Sequence, residues 1–196
     1  MRLFKNYLLL CTLLQLTTIT CSAQYYFKHY QTNEGLSHNS VRSIIQDKKG
    51  FIWIGTRSGL SRFDGYTFKA YTNKADSFGY VGNDIVTRLA EDQKGRLWVG
   101  TGQGLFKFNP ITETFSQLKA INGYINQLLA DKHNNLWIIA DGSLYQYRQH
   151  QKRILSYQIS ASCIAIDSNQ NIWFGNNDGV ISKLNPVTKI VTKTRI

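Results

Sequence analysis

A tryptophan repeat constrains the fold of this 196-residue chain more than any other feature. The four tryptophans are separated by 45, 39 and 36 residues, and an aspartate lies six positions before each of them. The four pairs are Asp47 and Trp53, Asp92 and Trp98, Asp131 and Trp137, and Asp167 and Trp173. Self-similarity with a period of about 40 residues is typical of proteins built from stacked structural units.

Each unit has the sequence signals of four short strands. An apolar residue lies three positions before each aspartate and places the first strand there: Ile44, Leu89, Leu128 and Ile164. A tight turn is predicted between the aspartate and the tryptophan, where Gly50, Gly95 and Asn134 favour a left-handed backbone. Gln170 occupies this place in the fourth unit, which predicts a different turn there. The tryptophan strand follows, and turn signals such as Asn109-Pro110 separate the last two strands.

A single four-stranded antiparallel sheet of this kind cannot bury both of its faces, so the units must pack on one another. Four strands per unit of about 40 residues are typical of a β-propeller. The sequence therefore predicts an all-β fold with about four blades, at roughly residues 36–72, 81–118, 121–157 and 160–194. Each tryptophan is expected to fill the space between blades. The glycine two positions later should let their backbones approach; these glycines are Gly55, Gly100 and Gly175, with Ile139 in the third unit.

The number of predicted strands indicates an incomplete ring. An additional strand of the fourth type is predicted at Phe27–Gln31, within the segment 25–32, because its sequence is similar to that of residues 68–71. Such a strand often completes the last blade of a closed propeller, but the fourth unit has an outer strand of its own. We therefore expect exposed apolar faces on blades one and four, and partners that are further receptor blades or a second protomer.

The first 23 residues have the pattern of a secretory signal peptide. Arg2 and Lys5 precede an apolar run, and residues 21–23 supply the small side chains that signal peptidase requires. We predict cleavage between Ala23 and Gln24, and a periplasmic mature chain, residues 24–196, without a membrane span. Two alternatives remain open: lipidation at Cys21, for which the preceding Thr20 is bulky, and an uncleaved anchor.

Loss of the signal peptide would lower the formal net charge from +11 to +9 and leave Cys163 as the one cysteine. Cys163 lies in the apolar run CIAI and is predicted to be buried. The cations are scattered, which argues against nucleic acid as a partner and is compatible with an anionic ligand such as an acidic sugar. The four histidines lack metal-ligand spacing, and no metal, cofactor or catalytic residue is predicted.

The first two units resemble the two-component regulator propeller repeat. The resemblance rests in the first unit on Val41, Ile44, Asp47, Gly50, Trp53, Gly55, Thr56, Gly59, Leu60 and Phe63. In the second unit it rests on Val86, Leu89, Asp92, Gly95, Trp98, Gly100, Thr101, Gly104, Leu105 and Phe108. It is weaker in the third unit, where Ile139 and Ala140 replace Gly-Thr, and in the fourth, where Asn176 replaces the threonine.

The resemblance implies the periplasmic sensor region of a hybrid two-component system, a receptor type common in gut Bacteroidetes. Ligands of this family are typically oligosaccharides released from complex glycans, so an oligosaccharide is the expected partner; its contact residues are not predicted. The full-length receptor would lie in the inner membrane and carry its histidine kinase outside this sequence, so this chain is not expected to be an enzyme. The alternatives are an exported scaffold for protein–protein interaction and a propeller-fold polysaccharide lyase or hydrolase.

Overall fold

A computed structural model of the chain describes residues 25–72, 81 and 85–195. These residues form sixteen strands in four antiparallel sheets, and each sheet contains four strands that follow one another in sequence order. A short 3-10 helix, Thr32–Glu34, precedes the first strand. The all-β prediction is therefore confirmed, and we refer to the four sheets as blades one to four. The predicted signal peptide and its cleavage site between Ala23 and Gln24 lie outside the described residues.

The strands lie in the chain as follows. Blade one contains β1 (Val41–Gln46), β2 (Ile52–Thr56), β3 (Gly59–Phe63) and β4 (Phe68–Tyr71). Blade two contains β5 (Val86–Glu91), β6 (Leu97–Thr101), β7 (Gly104–Asn109) and β8 (Thr114–Gln117). Blade three contains β9 (Ile125–Ala130), β10 (Asn135–Ala140), β11 (Ser143–Arg148) and β12 (Arg153–Ser160). Blade four contains β13 (Cys163–Ile166), β14 (Ile172–Gly175), β15 (Val180–Leu184) and β16 (Val191–Arg195).

The turn between the first two strands has the same backbone form in the first and fourth blades. In blade one, Asp47 Oδ1 accepts a hydrogen bond of 3.0 Å from the backbone N–H of Phe51. In blade four, Asp167 Oδ1 accepts the equivalent bond from Asn171 at 2.8 Å. Gln170 has a φ of 64°, in the left-handed region that glycine occupies in blades one and two. The predicted difference at Gln170 was therefore wrong, because the aspartate bonds impose the same turn on a residue less suited to it.

Each junction between neighbouring blades has its own apolar core, and the tryptophan of one blade faces the next blade. Trp53 packs edge-on against Phe108 of blade two with 5.0 Å between ring centroids, and Trp98 meets Tyr147 of blade three at 5.8 Å. Trp137 is buried in the same way against blade four. The predicted packing role is confirmed for these three tryptophans.

The glycine after the tryptophan is required for space. A Cβ atom at Gly55 would lie 2.6 Å from Val86 Cγ1 of blade two, and one at Gly100 would lie 2.7 Å from Ile125 Cγ2 of blade three. Blade three has the buried Ile139 instead of glycine, and the position in blade four that corresponds to Val86 holds the small Ala161 in the same core cluster. A large residue on one side of each junction is thus matched by a small residue on the other.

The outward faces of the two end blades expose apolar side chains, as predicted from the strand count. Ile44 of β1 is 60% exposed, whereas Leu89, at the same position in blade two, is 5% exposed. Trp173 of blade four is 38% exposed, because its face has no neighbouring blade among the described residues. The packing role predicted for this fourth tryptophan is therefore only partly met in the structure.

Two further expectations differ from the structure. Residues 27–31 form no strand; instead, Tyr30 packs against the rings of Phe63 and Phe68, with centroids 5.0 and 5.4 Å away. This segment is held by aromatic contacts, since every sheet already has its four strands. Cys163 is exposed and not buried, because it pairs with Gly175 on the uncovered face that also carries Trp173.

Candidate functional site

The repeated aspartates and tryptophans form one hydrogen-bonded brace in every blade. The Oδ2 atom of each aspartate accepts a hydrogen bond from the indole Nε1–H six residues later, at 2.7, 2.8, 3.0 and 2.9 Å in blades one to four. The other carboxylate oxygen accepts bonds from the turn backbone, so each brace joins the turn to the core of the blade. The sequence predicted the turn but not the brace; the constant spacing of six residues was the signal for it.

In two of the four blades, hydrogen bonds of the brace lower the pKa of the aspartate, at Asp92 and at Asp167. Trp173 and, next, Asn171 donate to Asp167 and lower its pKa to about 2. Burial by itself would raise the pKa of Asp92, but hydrogen bonds from Trp98 and Arg96 outweigh this effect and hold the pKa below its ordinary value. A carboxylate with so low a pKa is a poor general acid or base near neutral pH. Asp92 and Asp167 therefore have a structural role in their braces.

A cleft with a volume of about 500 Å³ lies between blades one and two. Its walls come from two equivalent turns, residues 47–51 of blade one and 93–97 of blade two, and from the third strand of each of the two blades. Its size is within the range of sites that enclose small ligands. We regard this cleft, which we call the first-junction cleft, as the candidate ligand site.

The inner wall of the first-junction cleft is aromatic and carries one arginine. Phe51, Trp53 and Phe108 line it. The guanidinium carbon of Arg62 lies 4.7 Å from the ring centroid of Phe51 and 5.7 Å from that of Trp53, which are cation–π distances. Arg62 also lies 3.6 Å from Glu113 Oε1 of blade two. The aromatic rings and Glu113 therefore fix the guanidinium at the wall.

The rim of the cleft is formed by lysines and by the carboxylates of Asp47 and Glu91, both of which accept hydrogen bonds within the protein. The backbone N–H of Lys48 donates to both oxygens of Glu91 at 3.1 Å, and its Nζ donates to the carbonyl of Gln93 at 2.7 Å. Lys48 therefore fastens the turn of blade one to that of blade two. Lys49 and Lys94 also line the cleft, and both are exposed.

Arg96 reaches across the second junction, from blade two to blade three. Arg96 occupies the place in blade two that Phe51 occupies in blade one. Its Nε donates to Asp92 at 2.7 Å, and its guanidinium reaches Gln149 of blade three. A smaller cavity of about 270 Å³ is lined by residues of blades three and four, including Ser160, Phe174 and Lys193. Of these two cavities, the first-junction cleft is the larger and the richer in cations.

Within residues 25–72, 81 and 85–195, no group of three or more His, Cys, Asp or Glu side chains is arranged to hold a metal ion. No helix in the same ranges has the length and hydrophobicity needed to cross a bilayer. The absence of catalytic activity and of a cofactor stays a prediction from the sequence.

Comparison with known families finds matches in the first two blades. Residues 35–58 and 79–103 match the two-component regulator propeller family, which confirms the resemblance seen in the sequence. A curated relative, histidine kinase P4 of Formosa agariphila, is 47% identical over 55 residues. That alignment covers 28% of this chain and 4% of the kinase.

Solved structures share the fold. The extracellular domain of BT4673 from B. thetaiotaomicron, assigned in different structures to a one-component and to a hybrid two-component system, aligns over 88% of this chain with a TM-score of 0.70 and 21% identity. The extracellular domain of BT3049, assigned to a hybrid two-component system of the same organism, aligns over 86% with a TM-score of 0.54 and 22% identity. This chain covers 27% and 32% of those two chains.

Proposed function

We propose that this chain is the ligand-sensing propeller of a two-component receptor and acts outside the cytoplasm. The observation that carries the proposal is the match of residues 35–58 and 79–103 to the two-component regulator propeller family, because these ranges contain the Asp–Trp braces of blades one and two. Its similarity in fold to extracellular domains of hybrid two-component systems supports the same role. Export would follow from the predicted signal peptide, cleaved between Ala23 and Gln24.

In this proposal the chain recognises a ligand, and the phosphotransfer chemistry belongs to another part of the receptor. The residues that repeat most regularly are used for packing and for the braces, and the aspartates among them have their carboxylate oxygens occupied. A propeller used in this way supplies a rigid frame, and variable residues at its junctions and loops bind the ligand.

We further propose that the ligand is an oligosaccharide produced by glycan breakdown. The first-junction cleft supports this proposal, since it combines an aromatic wall with polar groups on its rim. Of the three rings, the half-buried Phe51 offers apolar surface to a sugar ring, whereas Trp53 and Phe108 are buried. The rim supplies hydrogen-bond donors to hydroxyl groups. The volume of about 500 Å³ suits a short oligosaccharide better than an extended polysaccharide chain.

Titration of the purified mature chain with a panel of short oligosaccharides, followed by calorimetry and by thermal unfolding, tests the proposal. We expect saturable binding of at least one sugar and a rise in melting temperature, because ligand at one hundred times its Kd adds about 2.7 kcal/mol of stability. Failure of every sugar to bind, with selective capture of a partner protein, would favour the scaffold alternative. Release of shortened products from a polysaccharide would favour the lyase or hydrolase alternative.

A further inference from the structure

We infer that the first-junction cleft selects anionic oligosaccharides, which carry carboxylate or sulfate groups, over neutral ones. The inference rests on the proposed function in one respect, namely that the ligand is a sugar. The preference for negative charge comes from the cleft itself.

The cations that line the cleft outnumber the carboxylates that line it, since five Lys and Arg side chains face Asp47 and Glu91. Asp47 accepts its hydrogen bonds from the turn backbone and from the indole of Trp53, and Glu91 accepts from the backbone N–H of Lys48. Ion pairs in the described part of the chain involve Arg62, Lys69 and Arg96, so Lys49 and Lys94 stand without one there. The ammonium groups at the rim therefore remain available to an anion.

Arg62 is positioned to bind such an anion directly. Its side chain is 22% exposed, and stacking on Phe51 and Trp53 restricts its movement. Its contact with Glu113, at 3.6 Å, is too long for a hydrogen bond, and within the described residues its guanidinium has no other carboxylate partner. A planar guanidinium with free N–H groups matches the paired oxygens of a carboxylate or sulfate, and little side-chain entropy would be lost on binding.

A neutral sugar would not fully replace the water that hydrates the cations of the cleft. Binding displaces water from the guanidinium and the lysines, and hydroxyl groups restore only part of that interaction, whereas an anionic group restores it by charge-assisted bonds. The half-buried Phe51 would contact either kind of sugar. The charged group should therefore decide which sugar binds.

Matched sugar pairs test the inference. The probes are short oligogalacturonates with their methyl-esterified, uncharged forms, and sulfated galactan oligosaccharides with their desulfated forms, titrated by calorimetry at low and at moderate salt. We expect the charged member of at least one pair to bind at least tenfold more tightly than its neutral form, with an affinity that falls as salt is added. The two pairs show whether carboxylate or sulfate is preferred.

Two double variants of equal charge locate the site. In Lys49→Gln with Lys94→Gln, the cleft loses two cations; in Lys119→Gln with Lys132→Gln, two exposed lysines outside the cleft are lost. We expect at least a tenfold loss of affinity for the charged sugar in the first variant and less than a twofold loss in the second. Arg62→Gln should weaken binding by more than Arg62→Lys, because lysine keeps the charge but not the planar pair of donors.

Three outcomes would overturn the inference. Equal or tighter binding of the neutral sugars would remove the preference for charge and leave the proposed function intact. Equal losses in the two double variants would assign the effect to the overall charge of the protein, not to the cleft. Absence of binding by every sugar, charged or neutral, would overturn the inference and the proposed function together.

Discussion

Replacement of Trp98 tests the packing of the blades most directly, since Trp173 supplies a matched control at the same repeat position. Trp98 is 3% exposed in the second junction, whereas Trp173 is 38% exposed on the face of blade four. Each donates a hydrogen bond to the aspartate six residues earlier, at 2.8 and 2.9 Å. The two substitutions therefore remove the same chemical groups and differ in the burial of the side chain.

We expect Trp98→Ala to lower the free energy of unfolding by about 3–5 kcal/mol, the usual range for loss of a large aromatic residue from a core. The equivalent Trp173→Ala should cost about 1–2 kcal/mol, because solvent already reaches part of that side chain and no enclosed cavity forms. A third variant, Trp98→Phe, keeps most of the apolar contact and removes the indole donor to Asp92. Its expected cost is about 1.5–3 kcal/mol, typical of a hydrogen bond to a charged group.

Urea unfolding of the mature protein, followed by circular dichroism and by tryptophan fluorescence, measures these differences. Light scattering at the same concentrations establishes whether the protein is monomeric, since self-association through the exposed face would bury Trp173. Similar losses for Trp98→Ala and Trp173→Ala in a monomer would refute the reasoning, and so would a cost below about 1 kcal/mol for Trp98→Ala.

Gly55→Val should destabilise the protein by about 1–3 kcal/mol in urea unfolding, because its side chain would overlap Val86, and the second change Val86→Ala should recover part of the loss. Cys163 should react fully with a thiol reagent in the native protein, since it is exposed; protection until unfolding would contradict its placement. The pKa of Asp167 is lowered in the folded state to about 2 from an ordinary value of 3.8. Its contribution to stability is therefore present above pH 3.8 and lost as the pH falls towards 2, so Asp167→Asn should flatten the acid limb of the stability curve, measured as urea midpoint against pH. N-terminal sequencing of the exported protein should begin at Gln24, and an acylated Cys21 as the first residue would support the lipoprotein alternative.

The sequence predicted the parts of the fold that depend on repetition. Four pairs of Asp and Trp six residues apart specify four sheets, and the side chains that fill each junction recur at fixed spacing. The prediction that Cys163 is buried was wrong, because an apolar run marks a strand but does not show whether another blade covers its face. The strand predicted at residues 27–31 was wrong for a related reason: its similarity to residues 68–71 does not supply a free sheet edge. Both errors concern neighbours in space, which the pattern of a single unit does not specify.

The candidate site could not be predicted because it uses residues that depart from the repeat. Between the aspartate and the tryptophan, the residue after the turn is Phe51 in blade one, Arg96 in blade two, and asparagine in blades three and four. Phenylalanine lines the first-junction cleft and stacks on Arg62, whereas the arginine reaches across the second junction to Gln149. In this propeller, therefore, the constant spacing of aspartate and tryptophan builds the frame, and the positions that differ between the repeats shape the proposed ligand cleft. We therefore expect the exchange of these two residues, Phe51→Arg with Arg96→Phe, to close the first junction and open the second. Titration of the exchanged variant with an anionic sugar measures the effect, and binding should be lost or relocated.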